Sequence, residues 1–126
     1  MKEISLQTKI IQLLENKGYW VVRVSSANKR GVPDVLAFYN GKFVAVEVKA
    51  KENKKLRNLQ VKCLETIALE GGYALCMYDV YYLKQLLEQI EAGKITPSDC
   101  LRNFIYFTYQ VPKSHKTILI QGVNNE

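Results

Sequence analysis

The pattern of apolar and polar positions begins with a helix and a strand. Residues 3–17 place isoleucine and leucine at helical spacing and precede Gly18, which predicts a first helix ending at this glycine. Residues 19–25 are rich in aromatic and β-branched side chains and predict a strand, and residues 26–33 form a polar segment with Gly and Pro that predicts a loop. The apolar positions assigned to the helix are Ile4, Ile10, Ile11 and Leu14.

A β-hairpin over residues 34–49 is the strongest local pattern. Two apolar runs flank Asn40-Gly41, the dipeptide that favours a two-residue type I′ turn. Such a loop pairs residue 39 with residue 42, so the numbers of facing residues sum to 81 and Asp34 faces Glu47. Both faces of the hairpin are mostly apolar, which predicts that it lies in the middle of a covered sheet.

The rest of the chain continues the alternation of helices and strands. Residues 56–70 predict a second helix ended by Gly71-Gly72, residues 73–78 a fourth strand, and residues 80–92 a third helix. Gln60 lies on or near the apolar side of the second helix, which comprises Leu56, Leu59, Cys63, Leu64 and Ile67. The tail predicts a second hairpin, residues 104–111 and 116–121, around a Pro-Lys-Ser-His turn. The order is αβββαβ followed by a helix and a hairpin, which predicts one α/β domain over residues 1–126, with a core at 1–78 and an extension at 79–126.

Charge and composition narrow the function classes. The 126 residues carry a net charge of +6, and residues 1–58 hold twelve Lys/Arg against five Asp/Glu, which favours a nucleic-acid partner. No apolar run approaches the roughly 20 residues of a membrane span. Three well-separated cysteines without a CxxC pair argue against disulfides or structural zinc, so we expect a cytoplasmic protein.

Three charged residues share one face of the apolar hairpin. Asp34 and Glu47 face each other, and Lys49 follows two residues later on the same face. Facing carboxylates repel, and a divalent cation between them removes the conflict; hard oxygen ligands suit Mg²⁺ or Mn²⁺. The alternative is an ion pair between Lys49 and one acid at the edge of a structural hairpin.

With their flanking residues, these positions resemble a known nuclease signature. Pro33-Asp34, thirteen residues, then Glu47-Val48-Lys49 resembles the PD-(D/E)XK pattern, and the wider pattern over residues 2 to about 78 resembles the VRR-NUC domain, with spacing similar to the archaeal Holliday junction resolvases. The wider pattern comprises Gly18-Tyr19, Val22-Arg23, Ser25-Ser26, Gly31-Val32-Pro33-Asp34, Gly41, Glu47-Val48-Lys49, Gln60 and Gly71-Gly72.

This resemblance implies a restriction-endonuclease-like fold, with a mixed central sheet flanked by helices, and a Mg²⁺-dependent phosphodiesterase acting on DNA. Asp34, Glu47 and the Val48 carbonyl would bind the metal, and Lys49 would be the catalytic lysine. The VRR-NUC pattern adds Glu3 as a ligand, whereas the resolvase spacing falls on Gln7; Glu3 can equally be an ordinary first-turn acid. Gln60 would hold Lys49 or the attacking water, or else be a boundary glutamine facing solvent.

Basic and polar residues on the loops around the acidic pair are expected to bind DNA phosphates, although each alone can be a solvated loop residue. They are Arg23, Ser25, Asn28, Lys29, Arg30, Lys51, Lys54, Lys55 and Arg57. We therefore expect a Mg²⁺-dependent endonuclease, with Mn²⁺ able to substitute, that prefers branched DNA such as Holliday junctions. The aromatic residues of the tail could stack on bases but are more typical of a core or a dimer interface. A homodimer is the hypothesis, because a two-fold enzyme suits the two strands of a four-way junction. The alternative is a non-catalytic or partner-dependent DNA-binding module of a repair or replication complex.

Overall fold

Turns at glycine and asparagine residues separate several of the helices and strands. The computed structural model describes residues 2–50 and 55–100. The elements are α1 (Glu3–Asn16), β1 (Trp20–Arg23), β2 (Val35–Tyr39), β3 (Lys42–Val48), α2 (Asn58–Leu69), β4 (Tyr73–Met77) and α3 (Val80–Glu91). This order confirms the predicted αβββαβ core followed by a helix. The predicted second hairpin, 104–111 with 116–121, lies outside the described residues.

A four-stranded mixed sheet in the order β1-β2-β3-β4 forms the centre of the fold. β1, β2 and β3 are antiparallel neighbours, and α2 carries the chain to β4, which pairs parallel with β3. The pairs run from Tyr39↔Lys42 to Val35↔Val46, and Asn40 and Gly41 have φ angles of 50° and 79°. The predicted type I′ turn and the register that it imposes are therefore confirmed.

One face of the sheet is covered by α1 and α3. Alternate residues of β2 and β3 on this face are buried against Leu6, Ile10 and Leu14 of α1 and the apolar side of α3. Ile4 was predicted to share this apolar side but is 73% exposed. At 100° per residue Ile4 lies on the opposite side of α1 from Leu6, so the core cannot include both.

The other face of the sheet is only half covered. α2 packs on β3 and β4, where Leu64 contacts Ala74 and Cys76, and among the described strands it does not reach β1 or β2. Trp20 and Phe38, on the uncovered half, are 67% and 43% exposed. The prediction that the hairpin is covered on both faces is wrong for this half, because α2 is the one described helix on this face.

The apolar side of α2 also differs from its predicted composition. Leu59 was assigned to it and is 49% exposed, since it lies more than a quarter turn from the buried Leu64. All three cysteines are free, as expected. Among the described residues no helix has the length and hydrophobicity needed to cross a membrane.

Candidate active site

The site lies where the β2–β3 hairpin opens, at the end opposite its turn. Asp34 directly precedes β2, and extending the observed register by one residue places it opposite Glu47 of β3. The Val48 N–H donates to Asp34 Oδ2 at 2.8 Å, and the Val24 N–H donates to the Asp34 carbonyl at 2.8 Å. Asp34 is thus held between β1 and β3 with its carboxylate beside Glu47.

Glu47 and Lys49 are the buried charged side chains of the described chain, at 4% and 8% exposure. Burial and the Asp34 carboxylate together raise the pKa of Glu47 to about 8, although the Lys49 ammonium acts to lower it. The Lys49 Nζ lies 3.9 Å from Glu47 Oε2. The lysine therefore offsets part of the negative charge of the two carboxyl groups, and the uncompensated part favours a bound cation.

Gln60, in the first turn of α2, joins the two buried charged residues. Its Nε2 donates to Glu47 Oε2 at 3.0 Å, and its Oε1 accepts from Lys49 Nζ at 3.2 Å. The same Oε1 also accepts from the Arg57 N–H at 2.8 Å, which satisfies a backbone donor at the start of the helix. The start of α2 is thereby attached to the end of β3 through one amide group.

Glu3 reaches the same place from the first turn of α1. Its Oε1 accepts from the Ala50 N–H at 3.3 Å, and its charge contributes to raising the pKa of Glu47. Gln7, one turn later, does not line the pocket. The pocket has a volume of about 400 Å³ and is lined by Glu3, Asp34, Glu47, Lys49, Lys55, Arg57 and Gln60.

The donors of this pocket fit a hard divalent cation. Asp34 and Glu47 offer carboxylate oxygens. The N–H and the carbonyl of one residue point to the same side of a strand, and the Val48 N–H points to Asp34. The Val48 carbonyl oxygen therefore also points towards the Asp34 side. Within residues 2–50 and 55–100 no three His, Cys, Asp or Glu side chains are arranged to bind a metal by themselves. One or two carboxylates completed by water and substrate phosphate is the usual coordination of Mg²⁺.

The described residues expected to bind DNA lie in four different places. Lys55 and Arg57 line the carboxylate pocket, whereas Lys29 and Arg30 lie in a second groove against α2. Ser25 and Asn28 are exposed on the loop that follows β1. Arg23 is exposed and donates to Thr8 Oγ1 at 3.3 Å. Lys51 and Lys54 lie outside the described residues.

Sequence reasoning missed Lys62, which lines the second groove with Lys29 and Arg30. Helical periodicity alone places Leu59, Lys62 and Thr66 on one side of α2. The sequence has no signal that brings the loop of residues 26–33 against this side, because the approach depends on packing between distant segments.

Comparisons with known proteins identify the family of the chain. No curated protein matches the chain. The model of the archaeal Holliday junction resolvase (Hjc) family matches residues 4–72, a range that contains Asp34, Glu47, Lys49 and Gln60. This match covers more than half of the 126 residues. The chain therefore belongs to the archaeal Holliday junction resolvase family.

Proposed function

We propose that this protein is a Mg²⁺-dependent endodeoxyribonuclease that hydrolyses phosphodiester bonds in branched DNA, with four-way junctions as its preferred substrate. The observation that carries the proposal is one pocket in which two facing carboxylates, a buried lysine and a bridging glutamine converge. Membership of a resolvase family supports both the nuclease activity and the DNA partner.

Asp34, Glu47 and the Val48 carbonyl are the proposed metal ligands, with Glu3 as a further acidic ligand. A bound Mg²⁺ would neutralise charge on the scissile phosphate and lower the pKa of a coordinated water; Mn²⁺ has the same preference for oxygen ligands. Burial, followed by repulsion from the Asp34 carboxylate, raises the pKa of Glu47. Such an ion would relieve the repulsion between the two carboxylates.

Lys49 is proposed to act on the reacting groups. Its ammonium group, held by Gln60, can orient the attacking water and stabilise negative charge on the phosphate oxygens in the transition state. In this step the water would lose one proton as its oxygen forms a bond to phosphorus, the P–O ester bond to the leaving oxygen would break, and that leaving oxygen would take up a proton. Gln60 holds Lys49 and Glu47 at a fixed separation during this step.

The position of Glu3 supports a VRR-NUC-type arrangement of the PD-(D/E)XK site. Glu3 lines the pocket and Gln7 does not. We therefore expect Glu3→Gln to lower the rate of Mg²⁺-dependent junction cleavage by about 10- to 100-fold, as removal of a charged group near a metal does. Gln7→Ala is the matched control on the same helix face and is expected to keep the wild-type rate. Equal losses in both variants would contradict a ligand role for Glu3.

A homodimer is the proposed assembly, since a two-fold enzyme can cut the two equivalent strands of a four-way junction. We propose further that residues 1–126 form one domain, with the catalytic core at 1–78. Because its substrate is DNA, we expect the protein to act inside the cell.

The test is cleavage of a labelled four-way junction beside a linear duplex of the same sequence, with Mg²⁺ or EDTA, by wild type and Glu47→Ala. Paired symmetric cuts in the junction, lost with EDTA and in the variant, are the expected result. Cutting of both substrates would remove the junction preference and keep the nuclease.

Two outcomes would overturn the catalytic proposal. If the wild type shifts DNA in a gel but cuts nothing under any condition, the protein is a DNA-binding module. If cleavage appears only after a cell lysate is added and survives in Glu47→Ala, the activity belongs to a partner.

A further inference from the structure

A second groove runs along the outer side of α2, next to the carboxylate pocket. It has a volume of about 480 Å³ and is lined by Lys29, Arg30, Leu59, Lys62, Cys63 and Thr66. We call it the α2 groove. Three of its six lining residues are cationic and none is acidic, so it is suited to a ligand that carries several negative charges.

The α2 groove exists because the loop of residues 26–33 packs directly on α2. Gly31 has a φ angle of +83°, and a Cβ atom at this position would lie 2.4 Å from the Leu59 carbonyl oxygen. The absence of a side chain therefore lets the two backbones touch, and this contact brings Lys29 and Arg30 beside Lys62 of the helix.

The α2 groove lies one helical turn from the catalytic pocket. Gln60 lines the pocket and Cys63 lines the groove, and side chains three residues apart on a helix have Cβ atoms about 5–6 Å apart. Cys63 is close to charged groups of both the pocket and the groove. Burial raises the pKa of its thiol, the Glu47 carboxylate of the pocket raises it further, and the Lys29 ammonium of the groove lowers it.

This spacing matches a nucleic-acid strand. One strand of duplex DNA carries a phosphate per about 3.4 Å of helix axis, so the groove lies within about two nucleotides of a phosphate held in the pocket. Leu59, which is 49% exposed, adds apolar surface that a sugar or base can contact while the cations bind flanking phosphates.

A second copy of the chain fits the groove less well. In a two-fold contact centred here, Lys29, Arg30 and Lys62 would face their own copies, and like charges across an interface are unfavourable. The charge of the groove thus favours a polyanion over this protein itself.

We propose that the α2 groove binds the phosphate backbone of the DNA strand being cut, about one or two nucleotides from the scissile phosphate, with Lys62 as a contact residue. This inference rests on the proposed nuclease function, because it takes the carboxylate pocket as the position of the scissile phosphate. It also specifies the path of the DNA: the bound strand leaves the carboxylate pocket along α2.

Cys63 provides a reporter for this contact. Cys76 and Cys100 are 0% and 1% exposed, so alkylation of the folded protein reports on Cys63. The rate of reaction with N-ethylmaleimide is measured by mass spectrometry at pH 8.5 in EDTA, with and without a four-way DNA junction. At a DNA concentration of about ten times Kd, we expect about tenfold slower labelling, because only the unbound protein reacts. Cys63→Ser removes the signal.

A matched pair of charge reversals tests the phosphate contact. Lys62→Glu in the groove is expected to weaken junction binding and to make the slope of log K against log[salt] shallower by about one. Lys84→Glu, at an exposed position of α3 across the sheet, is expected to change neither quantity. Circular dichroism checks that both variants fold.

Failure of this inference differs from failure of the proposed function. If wild type binds and cuts the junction while Cys63 stays equally reactive and Lys62→Glu matches Lys84→Glu, the DNA does not occupy the groove, and the nuclease proposal stands. If Cys63 is unreactive without DNA and becomes reactive on dilution, a second copy covers the groove and the inference is overturned. Absence of any DNA binding overturns both.

Discussion

Glu47 occupies a position where a carboxylate is energetically unfavourable in the absence of a cation. It is 4% exposed, and burial and the neighbouring Asp34 raise its pKa to about 8 in spite of Lys49. A neutral side chain at this position would make the folded protein more stable. This conflict between stability and charge is typical of residues retained for chemistry.

The pKa of Glu47 predicts how the stability of the metal-free protein depends on pH. Its folded-state pKa is about 8 against an ordinary value of 4.5, so between these values the folded state binds more protons than the unfolded state. The free energy of unfolding therefore falls as the pH rises through this window. Glu47→Gln removes the titration and is expected to gain on the order of a few kcal/mol relative to wild type at pH 8.5.

Urea unfolding in EDTA at pH 5 and pH 8.5 measures this difference. The matched control is Glu88→Gln, at an exposed glutamate of α3, which is expected to keep the wild-type profile. Parallel pH profiles for wild type and Glu47→Gln would contradict the raised pKa of the folded state.

Gln60 predicts a separation between DNA binding and catalysis. It donates to Glu47 and accepts from Lys49, so Gln60→Ala leaves both groups without a shared partner. We expect junction cleavage under saturating DNA to fall by about 10- to 100-fold, as for other residues that orient groups around a metal. Stability is expected to fall by about 1 kcal/mol, because the Arg57 N–H loses its acceptor.

Fluorescence anisotropy with a labelled junction in EDTA measures the DNA affinity of Gln60→Ala. This affinity is expected to stay close to that of the wild type. Gln12→Ala, an exposed glutamine on α1, serves as the control for both assays. A loss of affinity that accounts for the whole loss of rate would show that Gln60 acts in binding and not in positioning.

At the scale of elements, the hairpin could be predicted because its information is local. Asn40-Gly41 determines the turn, the turn determines the register, and the register brings Asp34 beside Glu47. Helix faces were predicted less well: Ile4 and Leu59 are apolar but exposed, because periodicity does not say which apolar residues the neighbouring elements cover. The contact of Gly31 with Leu59 had no local signal either, although it determines where Lys29 and Arg30 lie.

The contact between the loop of residues 26–33 and α2 predicts a large difference between two glycine substitutions. Gly31 and Gly71 have φ angles of +83° and +91°, so alanine is strained at both positions. A Cβ atom at Gly31 would also collide with the backbone of Leu59, whereas at Gly71 it meets nothing within 4 Å. We expect Gly71→Ala to cost about 1–3 kcal/mol and Gly31→Ala clearly more.

Chemical denaturation measures the loss of stability in each variant, and junction binding provides a second difference between the two variants. Gly31→Ala is expected to weaken DNA binding as well, since it moves Lys29 and Arg30 away from α2, whereas Gly71→Ala is not. Equal destabilisation of the two variants would mean that the loop adapts without losing its position.

At the scale of the whole molecule, the excess positive charge lies on the same side as the half-covered face of the sheet. The net charge of +6 is concentrated in residues 1–58, which hold twelve Lys/Arg against five Asp/Glu. Lys29, Arg30, Lys55 and Arg57 from this half lie around the carboxylate pocket and the α2 groove. The face of the sheet that carries Asp34, Glu47 and Lys49 is also the half-covered one. The opposite face, closed by α1 and α3, supplies most of the core.

This distribution predicts DNA binding that depends strongly on salt and weakly on base sequence. The basic residues around the two sites are exposed or line open pockets, where they can reach phosphates, and phosphate contacts carry no direct sequence information. If about four to six of them neutralise phosphates, the slope of log K against log[salt] is about −4 to −5 per protomer.

We expect two junctions of equal geometry and scrambled arm sequences to bind with affinities within about threefold, because shape and charge are the same in both. Fluorescence anisotropy in EDTA from 50 to 200 mM NaCl gives both quantities. A slope near zero, or a tenfold preference for one arm sequence, would require base contacts to dominate and would contradict a recognition surface built from these lysines and arginines.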